Sequence, residues 1–163
     1  MIPLAYWLAA IIFVVDQLSK YAIIHLLRLP EAESIALLPV FSLTWVENRG
    51  VSMGMLTAGS EIERWLLVAV TGLIAVVVAF WAWRSRALVE NIALGLVFGG
   101  ALGNILDRVR LGYVVDFVHL HLGRWSFYVF NVADAAITTG VVILLLLALT
   151  GRSDGKPERL TDA

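Results

Sequence analysis

A chain of 163 residues that is 60% hydrophobic and only 15% charged, with a mean hydropathy of +0.87, is too apolar for an ordinary soluble domain and reads as a small polytopic membrane protein. Its net charge of -1 and its lack of a long basic run give no electrostatic reason to expect nucleic acid as a partner. The absence of cysteine removes disulfides, thiolate metal sites and a cysteine nucleophile together.

The first apolar run, about residues 4–27, is long enough for a bilayer core that needs roughly 20 helical residues. It differs from a secretory signal in having no basic n-region and no clear small-x-small cleavage site, and Asp16 and Lys20 lie within it. Spaced i, i+4, these two share a helix face. They can form an ion pair that lowers the cost of burying either, or they can serve only to anchor packing near the interface.

Residues 28–63 are a different kind of sequence, in which Pro30, Pro39, Gly50, Gly54 and Gly59 punctuate short apolar pieces. The segment Val40–Val46 is rich in aromatic and β-branched residues and partly alternates, which predicts a short strand. Asn48-Arg49-Gly50 follows as a turn signal. A small subdomain outside the membrane is expected here, with an amphipathic piece near Ser60–Trp65 lying at the surface and Trp45 and Trp65 at headgroup level.

The second span is expected at about 65–83, closed by Arg84 and Arg86, the third at about 88–106 after a very short link, and the fourth at about 130–149. Residues 151–163 form a polar tail that reads as disordered. Four spans put both termini on one side. Arg84, Arg86, Arg152, Lys156 and Arg159 mark that side, while Arg28, Arg49, Arg64, Arg108, Arg110 and Arg124 mark the other, so the positive-inside rule does not decide orientation by itself. Setting Arg49 and Arg108 aside as functional tips the count towards cytoplasmic termini.

In the third run Gly95, Gly99 and Gly103 repeat every four residues, making a smooth helix face on which a neighbouring helix can pack closely. Asn104, Asp107, Arg108 and Asp116 follow directly, and Asn131 and Asp134 open the fourth run three residues apart on one face. Ionisable groups in or beside hydrocarbon are expensive and mark a working site by default. Two carboxylates brought together in a low-dielectric setting cannot easily both ionise, so the pair tends to share one proton. Asp116 and Asp134 could in this way run an aspartic-protease reaction, one carboxylate drawing a proton from the attacking water and the other donating to the carbonyl oxygen. The bland alternative is that they cap a helix or balance Arg108 and Arg110. A proton-coupled transporter could use Asp16, Lys20 and Asp134 as a relay. A metalloprotease would need His119, His121 and Asp116, but on a strand Asp116 falls an odd number of residues from both histidines and points to the opposite face.

Together the motifs DQLSK (Asp16–Lys20), NRG (Asn48–Gly50), GGALGNILDRVRLGYVVDF (Gly99–Phe117) and FNVAD (Phe130–Asp134) resemble the bacterial lipoprotein signal peptidase, or signal peptidase II, family over about residues 4–150. The resemblance implies an all-α polytopic membrane protein with four transmembrane helices and a small extracytoplasmic β-containing subdomain, placed in the cytoplasmic (inner) membrane. Its implied activity is that of an aspartic endopeptidase without a cofactor or metal, which removes signal peptides from diacylglyceryl-modified prolipoproteins by cutting before the lipidated cysteine. By motif, Asp116 and Asp134 resemble the catalytic dyad, and Asn48, Asn104, Arg108 and Asn131 resemble substrate-binding groups. Asp16, Lys20, Gly50, Gly103 and Asp107 resemble supporting residues. Met53 departs from the aromatic that commonly follows the family's NxG element, which bears on how the outer region closes over substrate. Membrane lipids and cyclic peptide antibiotics such as globomycin are the other partners the resemblance implies.

Overall fold

Long apolar stretches in lipid must satisfy their own backbone hydrogen bonds, and this chain does so with helices. The computed structural model describes residues 3–50, 61–122 and 125–150. Among the described residues, four helices are long and apolar enough to cross a membrane: Leu4–Leu26, Glu61–Arg84, Leu88–Leu111 and Val132–Thr150. The first is α1, Leu4–Tyr21, continued by a π-helical turn, Ala22–Leu26. Arg28 then takes a left-handed φ of 48°, and a single turn, α2 (Leu29–Ala32), leads into the sheet.

The sheet has β1 (Ser34–Leu38), β2 (Phe41–Asn48), β3 (Val114–Leu122) and β4 (Trp125–Phe130), all antiparallel in the order β1-β2-β3-β4. One strand, at 40–46, is predicted from the sequence of residues 28–63, and that segment also holds β1. The other half of the sheet comes from the stretch between the third and fourth long helices. The register pairs Val46 with Asp116 and Asn48 with Val114 across β2 and β3. Beneath the sheet, Ile23, Leu29, Val115 and Phe117 form a buried cluster against Leu43 and Trp45, which seats it on the end of α1.

The second long helix, α3 (Glu61–Arg84), begins earlier than the expected 65. From Glu61 onward the amphipathic piece is its first turn rather than a separate surface segment, with Glu61 and Glu63 placing negative charge at the helix's positive end. Ser60, Met53, Gly54, Gly59 and the tail 151–163 lie outside the described residues.

Helix α4 (Leu88–Leu111) is central and touches α1, α3 and α5 (Val132–Thr150). A Cβ on Gly95 would come 2.7 Å from the carbonyl oxygen of Ala5, and one on Gly99 would come 2.6 Å from that of Ala9. On the opposite flank Gly100 meets Ala133 and Gly140 meets Ala93 at similar distances, so α5 runs antiparallel to α4. Small residues on both sides let backbones meet, which is how helices associate where water expulsion contributes nothing. Helix α4 extends past the expected 106, carrying Asp107 and Arg108 within it, and ends at Gly112. There a φ of +87° and an N–H bonded to the Arg108 carbonyl at 3.2 Å make a left-handed cap. The outer faces of α3 and α5 leave Leu73, Val76, Phe80, Leu145 and Leu146 exposed, the surface a bilayer covers.

Candidate active site

The site is framed by a buried ionic cluster. Lys20 Nζ lies 2.8 Å from Asp16 Oδ2 and 2.7 Å from Asp107 Oδ2, and donates to Asn104 Oδ1 at 3.3 Å. One ammonium thus faces two carboxylates. Gln17 supplies further donation, its Nε2 reaching Asp16 Oδ2 at 3.1 Å and Asp107 Oδ1 at 3.0 Å. A buried charge is tolerated only when paired and hydrogen-bonded, and these groups meet that condition together. The i, i+4 spacing of Asp16 and Lys20 does place them on one face, as their positions on a helix require.

Each member of the frame also fixes a neighbouring element. Asp16 Oδ1 accepts from the Ala133 amide at 3.0 Å, capping the start of α5, and Asp107 Oδ2 accepts from the Val115 amide at 3.2 Å, tying down the start of β3. Gly103 has to be glycine for this to fit, because a Cβ there would stand 2.5 Å from Asp16 Oδ2.

Asp116 sits on β3 with no solvent exposure. Its Oδ2 accepts from Asn48 Nδ2 at 2.9 Å and its Oδ1 from Asn131 Nδ2 at 2.6 Å. Burial pushes its carboxyl from 3.8 up to about 6; the bond from Asn48 pulls the other way, and the nearby charge of Asp134 adds to the rise. Asp134 is in the first turn of α5. Its amide donates to Asn131 Oδ1 at 2.9 Å, while the Asn131 amide donates to Asp134 Oδ2 at 3.3 Å, a reciprocal capping box. The capping role therefore exists, and it does not exhaust the residue. Asp134 Oδ1 also accepts from Asn104 Nδ2 at 2.8 Å, and Asn104 Oδ1 accepts from Asn131 Nδ2 at 3.2 Å.

The two carboxylates are thereby joined through a continuous relay of two amides, Asp116 to Asn131 to Asn104 to Asp134. Asp134 is half-buried and opens on a cavity of about 580 Å³ along α5, lined also by Tyr128, Phe130, Ile137 and Thr138. Arg108, half-buried, is within electrostatic reach of Asp134, Asp116 and Asp107, and its Nε is buried without a hydrogen-bond partner among the described residues. Gly50, with a φ of +101°, donates its amide to Asn48 Oδ1 at 3.0 Å and orients that side chain.

The metalloprotease trio is not assembled. His119 and His121 lie with ring centroids 5.3 Å apart, but their nitrogens face the hydroxyls of Thr44, Ser126 and Ser42, whereas Asp116 faces Asn48 and Asn131. Among the described residues no group of three or more histidine, aspartate or glutamate side chains is placed to hold a metal ion. Two participants escaped the sequence reading. Gln17 stands inside the DQLSK motif but is neutral and draws no attention by charge; Tyr128, on β4, donates nothing to the pattern that would set it apart from the other aromatics beside it.

These features define a multi-pass membrane protein with two carboxylates coupled at the junction of its helices and its sheet. A family profile described as Signal peptidase (SPase) II matches residues 8–150. A lipoprotein signal peptidase of Rhizorhabdus wittichii is 55% identical over 162 residues, covering 99% of this chain and 94% of that one. One from Sphingopyxis alaskensis is 49% identical over 155 residues, covering 91% and 90%. A solved structure described as a bacterial membrane enzyme, determined in meso at 2.3 Å resolution, superposes with a TM-score of 0.78 at 28% identity, covering 96% of this chain and 94% of that one. The chain belongs to the signal peptidase II family and is a peptidase. Membership in a peptidase family sets the transporter reading aside.

Proposed function

We propose that this chain is an aspartic endopeptidase that removes signal peptides from diacylglyceryl-modified prolipoproteins, cutting before the lipidated cysteine, with Asp116 and Asp134 as its catalytic dyad. The observation that carries the reading is the amide relay through Asn131 and Asn104, which couples the two carboxylates at the mouth of a largely apolar cavity. Asp116, buried and with its carboxyl raised to about 6, is the member that holds the shared proton; Asp134, open to the cavity, takes a proton from the attacking water. As water oxygen bonds to the scissile carbonyl carbon, the carbonyl π pair moves to oxygen and accepts the proton of the neutral carboxyl. Collapse of the tetrahedral intermediate then releases the amine, protonated by the dyad, and restores the acid.

Asn48, Asn104 and Asn131 hold the carboxylates before substrate arrives. Arg108, half-buried and within electrostatic reach of both carboxylates, is the cation beside which the substrate backbone is held. A substrate carrying two acyl chains enters sideways from lipid, so the site belongs at headgroup level. We place it on the extracytoplasmic side of the bacterial inner membrane, with both termini and the 151–163 tail in the cytoplasm. Globomycin-like cyclic peptides would occupy the same cavity as uncleaved substrate mimics.

The test is cleavage of a diacylglyceryl-modified precursor by purified protein in detergent. Asp116→Asn and Asp134→Asn are each expected to abolish processing while the protein still inserts and accumulates. Normal cleavage by either variant refutes the dyad.

A further inference from the structure

Tyr128 lines the cavity and is hydrogen-bonded to Asn48, which holds Asp116, without touching that carboxylate itself. Asn48 Nδ2 has two hydrogens; one goes to Asp116 Oδ2 at 2.9 Å and the other to Tyr128 Oη at 2.8 Å. Asn48 Oδ1 is taken by the Gly50 amide, so Asn48 is fully committed and the tyrosine hydroxyl stands in this contact as acceptor only. Its own proton has no protein acceptor among the described residues. The ring lines the same cavity onto which Asp134 opens, and it is 69% exposed.

The phenol stays neutral through the working range. Partial desolvation first, then the charges of Asp116 and Asp134, push it above its ordinary 10. A neutral O–H beside two acids is a donor, and the scissile carbonyl oxygen is the acceptor on which the reaction builds negative charge in this cavity.

Resting on the dyad reading above, we propose that the Tyr128 hydroxyl donates a hydrogen bond to the carbonyl oxygen of the scissile peptide and strengthens that bond as the oxygen gains charge. Tyr128 is then a catalytic residue in the strict sense, touching the reacting group while keeping its own proton. The dyad still performs both proton transfers, and the balance of the hydrolysis is unchanged. Placement on β4 suits the task, because the strand runs directly into Asn131 and the start of α5, and so the donor and Asp134 are carried by adjacent stretches of backbone. A preorganised donor aimed at developing negative charge contributes chiefly to the transition state rather than to substrate binding.

Tyr128→Phe keeps the ring and removes only the hydroxyl. With lipidated precursor it is expected to lower kcat by roughly 100- to 1,000-fold with little change in KM, the range in which loss of one such donor falls. A merely structural prop for Asn48 would instead lower the melting temperature and displace the pH profile, and both are measured alongside. Two uncleavable precursor peptides complete the test, one with a hydroxyl-bearing tetrahedral centre at the scissile position and one with a reduced methylene-amine lacking the oxygen. The phenylalanine variant is expected to lose affinity for the first by a factor similar to its loss in kcat and to bind the second as wild type does. Unchanged kcat, or equal loss for both peptides, overturns the proposal. If Asp116→Asn and Asp134→Asn are dead while Tyr128→Phe turns over normally, the dyad stands and the tyrosine falls; if the aspartate variants cut normally, both fall.

Discussion

Removing the Asn48 amide gives a signed, quantitative test of the electrostatics at Asp116. Its hydrogen bond at 2.9 Å favours the ionised carboxylate, opposing the burial that raises the group to about 6. Hydrogen bonds to charged groups contribute about 1.5–3 kcal/mol, and about 1.4 kcal/mol corresponds to one pH unit. Asn48→Ala should therefore raise the carboxyl by about 1–2 units, with water entering the vacated space holding the shift to the lower end. The proposed dyad works with one carboxyl protonated, so the limb of the profile that falls as pH rises moves upward. The apparent value belongs to the coupled pair, but the direction of its movement does not depend on how the proton is assigned. The assay is kcat/KM against pH for wild type, Asn48→Ala and Tyr128→Phe with a lipidated precursor in detergent. Tyr128 makes no direct bond to Asp116, so its variant serves as a control that leaves the limb in place. A limb in Asn48→Ala that stays put or moves to lower pH refutes the account of Asp116. Stability follows the same sign. A carboxyl raised from 3.8 contributes fully below that value, and its contribution is lost as pH rises through about 6, so thermal stability should decline over that window in wild type and not in Asp116→Asn.

Two further outcomes follow from packing and charge. Gly99→Ala forces a Cβ to within 2.6 Å of the Ala9 carbonyl oxygen and 2.8 Å of its Cα, both backbone, whereas a Cβ on Gly72 meets nothing within 4 Å. The first should cost about 1–3 kcal/mol of stability and lower activity by displacing Asp16, while Gly72→Ala should be neutral or gain about 0.5–1 kcal/mol; equal melting temperatures for the two would contradict the packing. Lys20→Met strands two buried carboxylates and is expected to destabilise by about 3–5 kcal/mol, read as a lowered melting temperature in detergent. A variant of wild-type stability would show that the cluster does not frame the site.

Apolar run length and the Gly95, Gly99, Gly103 repeat are written into local sequence, and so the membrane-crossing helices and the close face of α4 could be read from it. The limits of that reading lay where distant residues decide. Asp107, Arg108 and Arg110 look like the end of a span, yet α4 continues to Leu111 because Lys20, 87 positions earlier, neutralises Asp107. Phe130 looks like the start of the last span, but it finishes β4, and α5 begins at Val132 with Asn131 as its cap. Strands β1 and β4 are the sheet's edges and lack the clean alternation that a half-buried strand displays. The acidic pair could be proposed from chemistry alone; the asparagine amides that join it could not, because hydrogen-bond partners across 27 and 30 residues leave no periodic trace.

The bond from the Ala133 amide to Asp16 links the first membrane crossing to the last across 117 positions. Ribosomal synthesis delivers Asp116 before Asp134, so under the proposed dyad the nascent chain holds only one of the two carboxylates until the final segment has entered the bilayer. On that reading, connectivity itself keeps the peptidase silent while it is being made.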